Sequence, residues 1–326
     1  LEPRRILVTG GAGYIGAHTV ALLLRKGYDV TVVDNLSRGY RHNVDAARLV
    51  ELPLSDTAAL KRLMSERRFD AVIHFAAFIA VGESVKVPEL YFENNTCGSL
   101  SLLNAMIATG VRAIVFSSTA AVYGLPERVP IVEETPYAPI NPYGESKAMV
   151  ETMLAWFDRI HGLRSISLRY FNAAGADPEG RIGEEHDPET HLIPLVLRAV
   201  QTGKPVKVFG NDYATEDGTC IRDYVHVNDL AEAHILAVEW LLGGGESQVF
   251  NAGTGSGNSV MEVIRAAEAV TGKTAPFEIA PRREGDPALL VASCDKLRRV
   301  LAWSPRFTDL REIVETAWNF ERQRSR

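Results

Sequence analysis

The feature that most constrains this chain is a glycine segment, GGAGYIG at 10–16, set between a short apolar run and a helical pattern. Ile6-Leu7-Val8 reads as a strand bounded by Thr9 and Gly10, and 14–26 carries apolar residues at helical spacing up to a stop at Gly27. A strand that turns on glycine straight into a helix opens a unit whose next strand lies parallel to the first. The pattern recurs: 29–33, 71–75, 113–117 and 165–170 read as strands, with helical stretches such as 99–108 between them. The expected fold is therefore α/β, a Rossmann-type doubly wound parallel sheet. With 326 residues, 46% of them hydrophobic, the chain is long enough for that core and a second, smaller one.

After residue 170 the texture changes to Gly, Pro, Asp and Glu in AGADPEGRIGEEHDPETH, which reads as a loop insertion opening a smaller α/β domain. A strand and long helix at 223–242 read as a return to the first domain. The expected division is thus 1–172 plus about 223–250 for the larger domain, and about 173–222 plus 251–326 for the smaller. No internal repeat or low-complexity tract is visible.

Composition excludes several classes. A net charge of −6, with Lys and Arg scattered through both halves, offers no basic stripe for nucleic acid. Cys97, Cys220 and Cys294 stand far apart without a CxxC pair, which disfavours disulfides and zinc and suits free thiols in a cytoplasmic protein. The histidines show no metal-ligand spacing, so no metal is expected. No apolar run is long enough to span a membrane, and the charged LEPRR start does not read as a signal peptide.

Gly10, Gly13 and Gly16 stand at GxxGxxG spacing directly after the first strand, where missing Cβ atoms let a pyrophosphate approach the backbone amides of a helix start. Asp34 ends the second strand, where a carboxylate binds both ribose hydroxyls of an adenosine and repels a 2′-phosphate. That favours NAD over NADP, against the plainer reading of a turn aspartate in Asp34-Asn35-Leu36-Ser37. Phe75, Ala76 and Ala77 close the 71–75 strand segment at its carboxyl end and border the same ligand, unless they are plain core.

Tyr143 and Lys147 form a YxxxK pair, and one helical turn puts phenol and ammonium on one face. A free tyrosine titrates near pH 10 (about) and is a poor base, but a neighbouring cation stabilises its phenolate. Thr119, in FSSTAAVYG, offers a hydroxyl that can orient a sugar hydroxyl or relay its proton, with Ser117 and Ser118 competing beside it. A surface tyrosine and lysine and a turn-capping threonine are the ordinary readings of these residues taken singly.

GGAGYIG, DNLSRG, HFAA with VGES, FSSTAAVYG, NPYGESK, LRYFNAAGA, FGNDYATEDGTCIRDYVHV and APRREGD together resemble the sugar-nucleotide epimerases of the extended short-chain dehydrogenase family. The first motifs announce only the broad family, whereas TEDGTxxRDYxHV and RREGD are much more specific to the epimerases. The resemblance implies that Tyr14, Ile15, Asp34, Asn35, Leu36, Phe75, Ala76, Ala77, Asn94, Ser117, Tyr143, Lys147 and Phe171 surround NAD. It places Thr119 and Tyr143 against the sugar. Asn172, His191, Leu192, Phe209, Arg222, Arg283 and Asp286 would form a uridine diphosphate pocket, where guanidinium forks match phosphate oxygens. Read singly, Phe209 is core, Asp286 a buttress for Arg283, and His191 a structural hydrogen-bonding residue.

The implied reaction is epimerisation at C4 of a UDP-sugar, UDP-galactose to UDP-glucose, through a 4-keto intermediate in a homodimer packed on the 99–108 and 147–161 helices. Dehydratases that share the first oxidation place Asp-Glu after the catalytic threonine, whereas Ala120 and Ala121 stand there in this chain. Three positions depart from relatives. Leu52-Pro53-Leu54 lacks the carboxylate that commonly meets the adenine amino group, Ile79 replaces a lysine of some relatives, and Leu290 is intermediate between a bulky and a small residue linked to N-acetylated sugars. A non-enzymatic NAD-sensing protein on the same fold is the rival of a different class, and it has no need of the YxxxK pair.

Overall fold

A computed structural model describes residues 2–283 and 285–324; the expected domain limits at 1 and 326 lie outside the described residues. Strands β1 (Arg5–Thr9), β2 (Asp29–Asp34), β3 (Leu49–Glu51), β4 (Ala71–His74), β5 (Ala113–Thr119) and β6 (Arg164–Tyr170) join Gln248–Ala252 in one parallel sheet. Its order from one edge is β3-β2-β1-β4-β5-β6-(248–252), so the winding reverses between β1 and β4. Ile6 is opposite Val30 on one side and Ala71 on the other, and Thr9 is opposite Val33 and His74.

Both faces of this sheet are covered, which explains why its strands read as continuous apolar runs. Ile6, Val8, Val32, Ile73 and Leu168 pack on one face against Val20 and Leu23 of the first helix, Tyr14–Arg25, and Leu230 and Val238 of Val227–Leu242. Leu7, Val33, Val72, Ile114 and Phe116 face the other way, against Leu60, Met64, Leu102, Met106, Val150 and Leu154 from three more helices. The period-two alternation of side chains thus sorts one sequence run onto the two faces of the sheet.

A second core gathers Ile193, Leu197, Val208, Val263, Ile264, Ile313 and Val314, from Leu192–Thr202, Val206–Phe209, Val260–Thr271 and Leu310–Arg324. Some local expectations shift. β4 ends at His74, so Phe75, Ala76 and Ala77 lie in the loop beyond it, where Phe75 N and Ala76 N donate to Thr9 O instead of continuing a ladder. Tyr224–His226 pairs with Asn172–Ala174, and the large sheet is completed by Gln248–Ala252. β3, three residues long, is too short to announce itself by pattern.

Candidate active site

The carboxyl ends of the central strands open onto one cleft of about 1950 Å³, which continues to the second core. Its deep end is the reversal point between β1 and β4, the place where open α/β sheets leave a crevice. Gly10 crosses β4 there at φ +72, and a Cβ on it would sit 2.5 Å from Ala76 N; a Cβ on Gly16 would sit 2.3 Å from Gly10 O. Side chains at either position would push the loop off the helix start. Gly13 caps that helix without a side-chain hydrogen bond, which leaves its first amides directed at the cleft.

Asp34 is buried at the tip of β2, its Oδ2 accepting from Ala12 N at 3.0 Å and its Oδ1 from Leu36 N at 2.8 Å. Burial pushes its carboxyl up, and the two amides pull it back toward the ionised form. The turn reading and the ligand reading thus coexist, because a carboxylate held by two amides on the inner side is fixed at the cleft wall.

Helix Pro142–His161 sets the reacting groups. Asn141 caps it, accepting from Gly144 N at 2.9 Å, and Pro142 occupies the first turn, where its missing N–H costs nothing. A Cβ on Gly144 would lie 2.6 Å from Ala121 O, so glycine lets this helix approach the end of β5 closely. Tyr143 consequently faces the hydroxyl of Thr119, the last residue of β5, whose Oγ1 accepts from Ala121 N at 3.1 Å. Burial pushes the Tyr143 phenol up, opposed by the Thr119 hydroxyl. Lys147 is buried one turn on, its Nζ donating to Ser117 O at 2.7 Å and lying 4.8 Å from the Phe116 ring. Desolvation pulls its ammonium down to about 7, with Glu151 opposing.

At the far end, Arg222 donates to Ile221 O at 2.7 Å and pairs with Asp286, while the Arg283 guanidinium lies 4.0 Å over the Phe209 ring. The buttress reading of Asp286 is therefore corrected in its partner: it braces Arg222, 64 residues away, instead of Arg283. His191 caps helix Leu192–Thr202, and Asn172 Nδ2 donates to Asp223 O at 3.4 Å. Every residue expected to touch the cofactor or the nucleotide sugar lines this one cleft, and so do Leu52, Leu54, Ile79 and Leu290.

Sequence reasoning missed what lies beneath. Glu151 accepts from Arg169 Nη2 at 2.8 Å, from Tyr137 OH at 2.9 Å and from Ser118 Oγ, and Arg169 Nη1 reaches Tyr123 OH at 2.8 Å. This buried network clamps β5 to the Tyr143 helix; a glutamate one turn after Lys147 on an apolar face was its only signal. Asn95, in the π-helical turn Phe92–Cys97, ties Phe78 N at 2.8 Å to Ser146 Oγ at 3.1 Å. Asp223 accepts from the amides of Thr254, Gly255 and Ala292, which closes the RDY segment. Glu184, His186, Glu189 and His191 converge with their ligand atoms all within 4.8 Å, and the signal missed was their E-x-H-x-x-E-x-H spacing.

A glycine crevice with a carboxylate at the second strand, joined to a Tyr–Lys pair at the end of β5, defines a dinucleotide-dependent short-chain dehydrogenase site. The chain belongs to the NAD dependent epimerase/dehydratase family, whose model matches residues 6–253. It is 52% identical over 319 residues to the UDP-glucose 4-epimerase of Halalkalibacterium halodurans, covering 98% of this chain and 96% of that one. The crystal structure of UDP-glucose 4-epimerase from Brucella ovis in complex with NAD superposes with a TM-score of 0.95 at 46% identity, covering 97% and 98% of the two chains. The Bifidobacterium longum enzyme in complex with NAD+ and UDP matches with a TM-score of 0.91 at 38% identity, covering 98% and 99%.

Proposed function

We propose that this protein interconverts UDP-galactose and UDP-glucose by inverting C4, with NAD as its resident cofactor. The observation that carries the reading is the Thr119–Tyr143–Lys147 group, placed in a single cleft with a glycine crevice at one end and Arg222 and Arg283 at the other. The residues fit NAD: the crevice is one that a Cβ at Gly10 or Gly16 would fill, and Asp34 is fixed by two amides at its wall. Gly10, Gly13, Tyr14, Ile15 and Gly16 would hold the pyrophosphate side, Asp34, Asn35 and Leu36 the adenosine ribose. Phe75, Ala76, Ala77, Asn94, Ser117 and Phe171 would line the remainder.

NAD held there would supply the hydride acceptor for oxidation at C4 and the hydride donor for the reduction that inverts it. Tyr143 takes the O4 proton in the oxidation and gives it back in the reduction, so one group serves as base and then acid. Thr119 orients the sugar O4 toward that phenol, and Lys147 stabilises the phenolate by its charge. Arg222 and Arg283 hold the diphosphate and Phe209 the uracil side, with Asn172, His191 and Leu192 beside them. Binding energy located on the nucleotide leaves the hexosyl group free to turn. Ala120 and Ala121 offer no acid–base side chain for loss of water, which separates this site from a dehydratase.

Leu290 at the cleft wall keeps UDP-N-acetylhexosamines as the second substrate class, with UDP-pentoses and UDP-uronates behind them. We take 1–172 plus about 223–250 as the part that holds NAD and the rest as the part that holds the UDP-sugar. We take the protein to act as a homodimer in the cytoplasm, with Leu100, Met149, Trp156 and Ile160, exposed on two neighbouring helices, as the apolar face for the partner; no described helix is long and apolar enough to cross a membrane. The test is conversion of UDP-galactose by the purified protein with and without added NAD, followed as UDP-glucose. Absence of turnover from folded, NAD-supplied protein would remove the galactose assignment.

A further inference from the structure

The insertion 173–191 carries a group of side chains of which only His191, beside the nucleotide-sugar pocket, enters the proposed function. Glu184 and Glu189 are almost fully covered, with side-chain exposures of 7% and 1%, and His186 and His191 face them. His191 Nδ1 lies 2.8 Å from Glu184 and 3.1 Å from Glu189, while His186 Nδ1 lies 3.3 Å and 3.6 Å from the same two carboxylates. A tetrahedral zinc ion with ligands at roughly 2.0–2.2 Å requires ligand atoms about 3.3–3.6 Å apart, and the imidazole–carboxylate separations lie near that edge, with His191 facing Oε1 of Glu189 and His186 its Oε2. His186 Nδ1 is buried yet has no hydrogen-bond partner despite two carboxylates within ion-pair distance. A nitrogen facing two carboxylates at 3.3 and 3.6 Å without an aligned hydrogen bond can turn its lone pair to a cation held between them.

We infer that Glu184, His186, Glu189 and His191 form a binding site for one divalent transition-metal ion of the zinc type. Two imidazoles and two carboxylates suit zinc and its neighbours better than magnesium or calcium, which prefer an all-oxygen shell. The charges also close: a doubly charged cation balances two carboxylates beside two neutral rings. The site is pre-set, because Glu189 Oε1 accepts from the amides of Thr190 at 2.7 Å and His191 at 2.8 Å, which fixes its carboxylate. Its place in the fold gives it a structural role. The His186 ring stands edge-on to Tyr14 of the glycine loop at 6.3 Å, and His191 begins helix Leu192–Thr202. A cation here staples the insertion between the dinucleotide crevice and the wall of the nucleotide-sugar pocket.

The experiment uses untagged, full-length protein carrying its NAD, equilibrated with zinc chloride, desalted and analysed for metal by mass spectrometry, with a parallel sample loaded with cobalt(II). The expected result is about one zinc per chain, an intense visible cobalt band of tetrahedral coordination, and a higher melting temperature with zinc than after chelation. His186→Ala and Glu189→Gln should weaken zinc retention at least about tenfold and abolish the cobalt band. Wild-type protein that is folded but keeps no zinc and shows no cobalt band overturns the proposal, whatever the variants do. The four side chains would then be imidazolium–carboxylate pairs. Undiminished zinc in folded variants overturns it equally, by locating the ion elsewhere. Neither outcome depends on turnover, so this inference and the epimerase reading fail separately.

Discussion

The two ends of the cleft are built in different ways. At the dinucleotide end, position comes from the backbone: strand tips, a glycine crossing where a Cβ would lie only 2.5 Å from Ala76 N, and a helix start. At the nucleotide-sugar end, position comes from side chains that meet across the sequence, Arg222 with Asp286 and Arg283 over Phe209. Backbone-built sites tolerate change in most side chains, whereas side-chain-built sites turn on single residues. The reacting group belongs to both, since Tyr143 and Lys147 sit on a regular helix but are held against β5 by the buried Glu151–Arg169 network.

The strongest test concerns the group between the two ends. Tyr143→Phe should lower kcat about 10²- to 10⁴-fold while UDP-sugar binding, measured by calorimetry, changes little, because the phenol acts on the proton and not on the nucleotide. Equal losses of binding and turnover would assign Tyr143 to the side-chain-built end instead. Next comes the clamp below it. Arg169→Leu leaves Glu151 as an uncompensated buried charge and should cost about 3–5 kcal/mol in urea unfolding, with much of the loss regained in the Arg169→Leu/Glu151→Leu pair. A single variant as stable as wild type would show that the helix is held by packing alone. At the far end, Arg283→Lys keeps the charge but loses the planar fork, and should raise KM for UDP-galactose by about tenfold with kcat nearly unchanged. A fall in kcat alone would contradict its placement on the diphosphate.

The dinucleotide half also responds to acid. His18 and His234 are buried and lowered to about 4 by desolvation, and His74 to about 3 by desolvation and by Lys147. Below the ordinary imidazole value of about 6.5 the unfolded chain binds protons that these rings refuse. Stability is therefore full above that pH and lost as pH falls from about 6.5 toward 4. Melting temperature should drop between pH 7 and pH 5, and His234→Gln should reduce the slope. A flat profile over that range would mean that the rings accept protons in place.

This contrast also explains what was legible in the sequence. GGAGYIG, Asp34 and the YxxxK pair are local patterns whose geometry follows from strand and helix periodicity, so fold and crevice could be read from few residues. The Arg222–Asp286 and Arg283–Phe209 contacts are separated by more than sixty residues, and only the family resemblance gathered those positions. Glu151 was invisible as a partner of Arg169 because a helix pattern does not tell which strand lies beneath it. The Glu184–His191 group was passed over because its ligands come from two residue types in alternation, and a search among histidines alone finds no spacing.

The smallest expected effect bears on one of the departures at the dinucleotide end. Pro53 is exposed just beyond β3, between Leu52 and Leu54, which line the cleft. The family resemblance leads to the expectation of aspartate there, and a carboxylate accepting from the adenine amino group adds about 0.5–1.5 kcal/mol, or roughly two- to twelvefold in affinity. Pro53→Asp should therefore slow NAD loss during gel filtration by a few-fold. The same change releases a fixed φ and adds freedom to the unfolded chain, which lowers stability by up to about 1 kcal/mol before NAD is added. NAD retention should rise while the melting temperature of the NAD-free protein falls. Two readouts moving in opposite directions distinguish a new adenine contact from a general tightening of the loop, which would raise both. If retention does not change, adenine is held at this end by the backbone and by Leu52 and Leu54, and even the base would then need no partner of its own.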